Sequence, residues 1–153
     1  MITQLPISTN TSDKRDVRTQ FAALCYRVNK KGKHKILLVT SRRSGRWIIP
    51  KGWPMNGQTP AAAAVQEAWE EAGVRGTTTG QCLGLYSYQK RHRRAAPLPI
   101  VVMVYPLAVT EMEDDFPEQG QRERKWFSPK KAAGKVQEPE LARILQEFCP
   151  AAL

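Results

Sequence analysis

Short apolar runs bounded by turn residues predict the strands of this chain. They cover residues 21–28, 35–40, 83–89, 99–110 and 124–127, with a shorter apolar run at 47–49. Residues 29–33 form a turn between the first two strands, and Gly32 is its expected left-handed residue. Residues 111–121 are expected to form an acidic turn after the long strand.

The clearest helix signal lies between Thr59 and Gly73. Thr59 is a preferred N-cap residue, Pro60 suits the first helical position, and Gly73 is a natural terminator. A stripe of small apolar side chains recurs between them at helical spacing, which would let the helix pack closely on a sheet. Its members are Ala61, Ala64, Val65, Ala68 and Ala72.

Two shorter helices are expected near the C-terminus. Ser128 and Pro129 repeat the cap-plus-proline pattern, and a last helix begins at Pro139 and ends near Phe148. Strands interleaved with a few helices predict an α/β sandwich. A length of 153 residues suits one domain, here residues 17–153, preceded by a mobile polar tail over residues 1–16.

Composition narrows the class of protein. The three cysteines lie far apart without a CxxC pair, which argues against a disulfide framework or a zinc site and fits a reducing cytoplasm. No run approaches the roughly 18–20 apolar residues that span a bilayer, and the N-terminus lacks the pattern of a secretory signal. We therefore expect a cytoplasmic protein without a membrane partner. The sequence carries no indication of an oligomeric state.

The net charge of +10 is unevenly distributed. Residues 17–66 contain ten Lys or Arg and no acidic residue, and residues 74–110 are again free of acids and carry KRHRR at 90–94. A field of this sign favours an anionic partner such as polyphosphate, RNA or an acidic membrane surface. The alternative is a soluble basic surface without a specific ligand.

Three glutamates on the central helix are the candidate chemistry. Glu67, Glu70 and Glu71 project to one side at about 100° per residue. They repel one another and occupy the negative end of the helix dipole, so a compensating cation is expected. Hard oxygen ligands suit Mg²⁺ or Mn²⁺ bound together with phosphates. A solvated acidic face, or one neutralised by nearby arginines, is the alternative.

The residues around these glutamates resemble the Nudix box, G-x5-E-x7-R-E-U-x-E-E-x-G-U, in which U is a bulky apolar residue. Six positions match at the right spacing: Gly52, Glu67, Glu70, Glu71, Gly73 and Val74. Ala68 is a small substitute at the first U. Gln58 replaces the box Glu and Gln66 replaces the box Arg, which removes one charge of each sign and leaves two amides that could hydrogen-bond to each other.

The resemblance extends over roughly residues 18–148. RSGRWIIPKG before the box, YQKRHRR and VTEMEDD after it, and RKWF near the end look like the diphosphoinositol polyphosphate phosphohydrolases, a Nudix subgroup that also cleaves diadenosine polyphosphates. The segment Lys51-Gly52-Trp53-Pro54 departs from the glycine-rich entry usual in that subgroup. The resemblance implies a Nudix-type α/β/α sandwich with a mixed central sheet.

It also implies an activity, Mg²⁺-dependent hydrolysis of a phosphoanhydride bond in a polyphosphorylated small molecule, with Mn²⁺ as the alternative ion. Carried over, Glu67, Glu71 and the Gly52 carbonyl would bind the metal, and Glu70 would bind metal or accept the proton of the attacking water. Basic side chains are the candidates for holding substrate phosphates, because guanidinium groups suit phosphate. They are Arg18, Arg42, Arg43, Arg46, Lys51, Lys90, Arg91, Arg93 and Arg124.

Two other functions stay open at the level of sequence. The first is the same chemistry on another substrate, such as a nucleotide sugar or the capped end of an RNA. The second is a basic nucleic-acid-binding module whose box is vestigial, which Gln58 and Gln66 would favour. The absence of an RNA-binding signature and the presence of all three helix glutamates argue against it.

Overall fold

The computed structural model describes residues 4–6, 18–90 and 97–153. In chain order the elements are β1 (Thr19–Val28), β2 (His34–Thr40), β3 (Trp47–Ile48), β4 (Lys51–Gly52), α1 (Pro60–Ala72), β5 (Val74–Thr77), β6 (Gly84–Lys90), β7 (Leu98–Met112), β8 (Arg124–Phe127), α2 (Pro129–Lys135) and α3 (Pro139–Glu147), followed by a 3-10 turn at Pro150–Ala152. Within the described ranges, no helix is long and apolar enough to cross a membrane.

The eight strands form one mixed sheet. Its main order is β3-β2-β1-β7-β5, while β4 pairs with β1, β6 with β7, and β8 with β2. The two central strands, β1 and β7, run parallel, and the other pairings are antiparallel. The mixed central sheet expected from the sequence is therefore confirmed.

Side chains of β1 alternate between two separate cores, as the period of a strand dictates. Ala23 and Cys25 belong to the core beneath α1. Ala22 and Leu24 belong to the opposite core, beneath α2 and α3. Because both faces of the sheet are covered by helices, the expected α/β/α sandwich is confirmed.

Small residues bring α1 close to the sheet. Ala64, Ala68 and Ala72 are completely buried, as the helical spacing predicted. The Thr59 hydroxyl accepts a hydrogen bond from the backbone N–H of Ala62 at 3.1 Å, which caps the helix. The close approach places the sheet-facing side chains of the last helical turn against β4, where the candidate site lies.

Two strands were missed by the sequence analysis, and each has a physical reason. β4 is only two residues long and pairs with β1 through Gly52 and Lys51. β5 contains Gly76, and its register with β7 shifts between Arg75 and Gly76. An added Cβ at Gly76 would collide with the backbone oxygen of Ala108, so the glycine permits this approach.

The polar tail expected over residues 1–16 lies mostly outside the described residues. Within it, Gln4 contacts the domain, because the Tyr105 hydroxyl donates a hydrogen bond to Gln4 Oε1 at 2.8 Å.

Gly73 ends α1 for two separate reasons. Its φ of 67° is in the left-handed region, and its N–H donates to the Trp69 carbonyl at 3.0 Å. An added Cβ would also collide with the Phe116 ring and lie 2.7 Å from the Glu113 carbonyl oxygen. The glycine therefore lets the segment after β7 pack against the helix end.

We predict that Gly73→Ala destabilises the protein more than Gly80→Ala. Gly80 has a φ of 77°, and no atom of the described residues outside its chain neighbours comes within 4 Å of its added Cβ, so it isolates the backbone cost of about 1–2 kcal/mol. Gly73→Ala adds the collision with Phe116, typically about 1–3 kcal/mol. Urea unfolding measures both free energies. Equal losses for the two variants would show that the Phe116 contact does not constrain the helix end.

Candidate active site

The Glu71 carboxylate is the buried centre of the site. The side chain is 6% exposed, and both of its oxygens are held. Oε2 accepts a hydrogen bond from the backbone N–H of Lys51 at 2.9 Å. Oε1 accepts one from Nη2 of Arg122 at 3.1 Å. The last turn of α1 is thereby fixed to β4 and to the segment that precedes β8.

Glu67 lies over the backbone of Gly52. An added Cβ at Gly52 would collide with the Glu67 carboxyl group, so only glycine leaves room for it in this arrangement. The box pairing of a glycine with the first helix glutamate thus has a direct steric basis in this chain. It brings the carboxyl group to the strand that also binds Glu71.

Glu70 faces a different neighbour. Its Oε1 accepts a hydrogen bond from Nε2 of Gln66 at 3.3 Å, one helical turn earlier. Its backbone carbonyl accepts a hydrogen bond from the N–H of Glu118 at 3.0 Å. The loop between β7 and β8 is therefore anchored to α1 at Glu70.

Gln58 and Gln66, which replace the Glu and Arg of the Nudix box, do not hydrogen-bond to each other. Gln66 donates to Glu70, while Oε1 of Gln58 is buried without a hydrogen-bond partner in the described part of the chain. The hydrogen bond between two amides that the sequence analysis considered is not formed. Position 58 therefore gives Gln66 no partner, and neither position carries a charge.

Burial raises the pKa of two box carboxyl groups, those of Glu67 and Glu71. Burial, followed by the charge of Glu71, raises the pKa of Glu67 to about 8. Burial raises the pKa of Glu71 to about 7, although Arg122 and Lys51 act in the opposite direction. A carboxyl group in such a setting releases its proton readily only when a cation is nearby.

The donor set has the chemistry that a magnesium ion requires, namely several carboxylate oxygens beside a backbone segment. Among the described residues, however, no three carboxylate, histidine or cysteine side chains come close enough together to hold a metal ion. In this arrangement Glu71 accepts a hydrogen bond from Arg122, and Glu70 accepts one from Gln66. Carboxylates retain further lone pairs after accepting one hydrogen bond each.

Two candidate phosphate ligands, Lys51 in β4 and Lys90 at the end of β6, each lie over an aromatic ring. The Lys51 ammonium is 5.1 Å from the centre of the Tyr88 ring, and the Lys90 ammonium is 4.9 Å from the centre of the Trp53 ring. Burial lowers the pKa of Lys51, an effect that the charge of Glu71 partly opposes. Of the two lysines, Lys51 lies close enough to Glu71 for the two charges to affect each other.

A second group of candidate cations lies in the turn between β2 and β3. Arg42 is near the Glu118 carboxylate at 3.7 Å and donates to Gln121 Oε1 at 3.2 Å, which places it at the loop that is anchored to α1. Arg43 is exposed in the same turn. Arg18 is exposed just before β1.

The remaining candidates have other positions. Arg46 forms an ion pair with the buried Glu138 at 2.8 Å. Arg124 donates to the carbonyls of Ala72 and Glu113, both at 2.8 Å, so it supports the end of α1. Arg91 and Arg93 lie outside the described residues.

Sequence reasoning missed Arg122 and Glu118. Arg122 contacts Glu71, and its Nε donates to Glu118 Oε1 at 3.2 Å. The available signal was the spacing of four residues between Glu118, in the acidic turn, and Arg122, which directly follows that turn. That spacing indicates a local pair, but it gives no sign that the pair binds a helix 51 residues away.

Comparisons with known proteins agree with this architecture. A family model described as NUDIX domain matches residues 18–148. Human diphosphoinositol polyphosphate phosphohydrolase 2 is 35% identical over 148 residues, which are 94% of this chain and 77% of that protein. Human diphosphoinositol polyphosphate phosphohydrolase 3-beta is 34% identical over 150 residues, covering 94% and 85%. The solved C. elegans Ap4A hydrolase has a TM-score of 0.61 at 20% identity and covers 90% of this chain and 99% of that chain.

We predict that the metal-free protein loses stability relative to Glu67→Gln as the pH rises from about 4.5 to about 8. The pKa of Glu67 is about 8 in the folded state and 4.5 in its ordinary setting. Between these values the folded state keeps a proton that the unfolded chain has released, so rising pH favours unfolding. Thermal unfolding with a metal chelator, at steps across this range, measures the difference between wild type and variant.

The control is Glu140→Gln, which removes an exposed carboxylate from α3. At each pH, the melting temperature of Glu140→Gln is subtracted from that of Glu67→Gln. The subtraction removes the effect of the overall positive charge, which is common to both variants. Parallel curves for wild type and Glu67→Gln would contradict the raised pKa.

Proposed function

The chain belongs to the Nudix hydrolases, and we propose that it hydrolyses a phosphoanhydride bond in a highly phosphorylated small molecule, such as a diphosphoinositol polyphosphate or a diadenosine polyphosphate. The two relatives described above are named for the first of these substrates, and the similar solved structure is named for Ap4A. Both substrate classes carry closely spaced anionic phosphates.

The observation that carries the proposal is the contact of two box carboxyl groups with one short strand. Glu67 lies over Gly52, and Glu71 accepts a hydrogen bond from the neighbouring Lys51. Within the described ranges, a single guanidinium forms an ion pair with these box glutamates, that of Arg122. Two carboxyl groups at one short strand, with Lys51 beside Glu71, are suited to a cation and a polyphosphate bound together.

Nudix hydrolases generally use divalent metal ions, and we propose Mg²⁺ for this chain, with Mn²⁺ as the alternative. Glu67, Glu71 and the Gly52 carbonyl are the proposed ligands. The bound metal would neutralise phosphate charge and lower the pKa of a coordinated water molecule.

Glu70 is the proposed proton acceptor. Its Oε1 accepts a hydrogen bond from the uncharged Gln66 amide, and no cation forms an ion pair with it among the residues that the structure describes. Its other carboxylate oxygen is then free to take the proton of an attacking water. Glu71, by contrast, is fixed by Arg122 and the Lys51 backbone.

The substrate phosphates are proposed to bind between the two groups of cations. Lys51 and Lys90 form one side, and Arg42 and Arg43 in the β2–β3 turn form the other. Arg91 and Arg93 lie in the basic segment that follows Lys90 in the sequence. Arg46 and Arg124 are engaged with the fold and are left out of the proposed binding set.

A hydrolysis panel with Mg²⁺ tests the proposal. Its members are an inositol pyrophosphate, a diadenosine polyphosphate, a nucleotide sugar and a capped RNA. The proposal requires the highest kcat/KM on one of the first two. Preference for a nucleotide sugar or capped RNA would replace the substrate class, and RNA binding without any turnover would favour the nucleic-acid-binding alternative.

We predict that Glu70→Gln lowers kcat by about a hundredfold or more, because removal of a positioned general base typically costs 10²- to 10⁴-fold. The fold is expected to stay intact, since Gln66 can still hydrogen-bond to an amide at this position. Steady-state kinetics on the best substrate of the panel measures the effect. Glu140→Gln on α3 is the matched control, and near-normal turnover by Glu70→Gln would contradict the assigned role.

We predict that the loss caused by Arg43→Ala grows with the number of substrate phosphates. A charge-assisted contact is worth roughly 1.5–3 kcal/mol, whereas a distant surface cation is screened beyond about 8 Å at physiological salt. The values of kcat/KM on a short and a long polyphosphate substrate, at low and moderate salt, separate the two cases. Lys31→Ala, in the exposed turn at the other end of β2, is the control.

A loss that is equal for both substrates and disappears with added salt would mean that Arg43 only steers the substrate. The same result for Arg42→Ala would remove the β2–β3 turn from the proposed binding surface.

A further inference from the structure

A cavity of about 520 Å³ is lined by residues of β2, β8 and α2, none of which has a place in the proposed active site. Four lysines surround it, and none of the described residues that line it is acidic. The lysines are Lys35, Lys125, Lys131 and Lys135. Its volume lies within the range of small-molecule binding sites, about 300–1,000 Å³.

The four lysines are exposed and have no acidic partner. Within the described ranges, none of them forms an ion pair. The ammonium groups of Lys125 and Lys135 lie 5.6 and 5.8 Å from the centre of the same Phe127 ring. This nearly buried ring takes the place of water beside both charges, so their repulsion is less screened there. An anion in the cavity would relieve that repulsion.

Gly134 gives α2 an open side at the cavity. Lys131 and Lys135 share this side, because residues three and four apart lie on one face of a helix. Glycine destabilises a helix relative to alanine. Apart from chain neighbours and the backbone of its own helix, however, no described atom lies within 4 Å of an added Cβ at Gly134. Packing of the fold therefore does not require this glycine, whereas it leaves room for a ligand between the two lysines.

The cavity and the box carboxylates lie in different parts of the molecule. Lys35 is near the start of β2 and Thr40 ends it, so at about 3.3 Å per residue the two are about 16 Å apart. The Thr40 carbonyl is bound by Arg122, which also binds Glu71. The two lysines of α2 are on the sheet face opposite α1.

We propose that this cavity is a second anion-binding site, which takes a small polyphosphate such as inorganic tripolyphosphate or the phosphate chain of a nucleotide. Lysine is a common phosphate ligand that acts as a point charge. Four ammonium groups around one cavity match a chain of several phosphates better than a single carboxylate. A concave site also suits a compact anion better than the flat surface of a membrane. The proposal does not rest on the proposed function, because the site shares no residue with it.

A nuclear magnetic resonance titration of the ¹⁵N-labelled protein with tripolyphosphate tests the proposal. A metal chelator and physiological salt suppress metal-dependent turnover and long-range charge effects. The backbone amide of Ser128, which lines the cavity, reports on the new site, and that of Gly52 reports on the box. We expect the Ser128 signal to shift with a saturable dependence on tripolyphosphate, whatever the Gly52 signal does.

Two variants remove different properties of the cavity. Lys131→Gln with Lys135→Gln removes two charges and is expected to weaken binding at Ser128 by about tenfold or more, as the loss of charge-assisted contacts would. Gly134→Leu keeps every charge but fills the space between the lysines, and it is expected to weaken binding to a similar extent. Leucine is a good helix former, so this variant should not melt at a lower temperature.

The matched control is Lys30→Gln with Lys31→Gln, which removes two exposed charges from the turn between β1 and β2. It should change the affinity at Ser128 by less than about twofold, because distant charges are screened at this salt concentration. An equal loss in the control and in the α2 double variant would mean that only the general field attracts the anion.

Three further results would overturn the proposal. The first is a Ser128 signal that does not shift in the wild-type protein. The second is wild-type affinity in Gly134→Leu, which would place the anion outside the cavity. The third is tighter binding at Ser128 of an oligouridylate without a terminal triphosphate, which would assign the surface to RNA. Comparison of tripolyphosphate with ATP then identifies the source of the phosphates, and saturable binding of either supports the site.

Discussion

The burial of the Glu71 carboxylate is the constraint on which the rest of the site depends. An unpaired carboxylate in this position would cost several kcal/mol, and the negative end of the α1 dipole adds to that cost. The Lys51 backbone and the Arg122 guanidinium satisfy its two oxygens. Because these partners come from β4 and from the β7–β8 loop, one buried charge fixes both segments relative to the helix.

Helix geometry and small side chains decide which glutamate is buried. At about 100° per residue, Glu71 is rotated by about 40° from Glu67 to one side, and Glu70 by about 60° to the other. Glu71 therefore shares the sheet-facing side with the fully buried Ala64 and Ala68, whereas Glu70 turns toward Gln66. A larger residue at Ala64 or Ala68 would move the helix away from β4 and break the contact between Glu71 and Lys51.

The sequence predicted those features that depend on residues close together in the chain, such as helix caps and the spacing of a short motif. Caps at Thr59 and Gly73 bound α1 correctly, and the box spacing singled out Gly52 and Glu67, which the structure places against each other. The sequence does not predict β5, because a segment containing Gly76 becomes a strand only by pairing with β7. Arg122 was missed for a related reason, since its partner on α1 is 51 residues away in the chain and no periodic pattern connects the two.

The cation that binds Glu71 comes from a loop and not from α1 itself, which affects how the site is assembled. A side chain at position 66 reaches Glu70 by formation of α1 alone, because residues four apart share a helix face, but it does not face Glu71. The position of Arg122 beside Glu71 depends on β2 and on the loop before β8, because its guanidinium also donates to the Thr40 carbonyl and to the Glu118 carboxylate. The Glu118 backbone holds that loop on Glu70, while its carboxylate holds the Arg122 guanidinium. The loop is therefore both attached to α1 and the source of the cation that orients the buried carboxylate, so the β7–β8 loop is part of the site and not only a connection beside it.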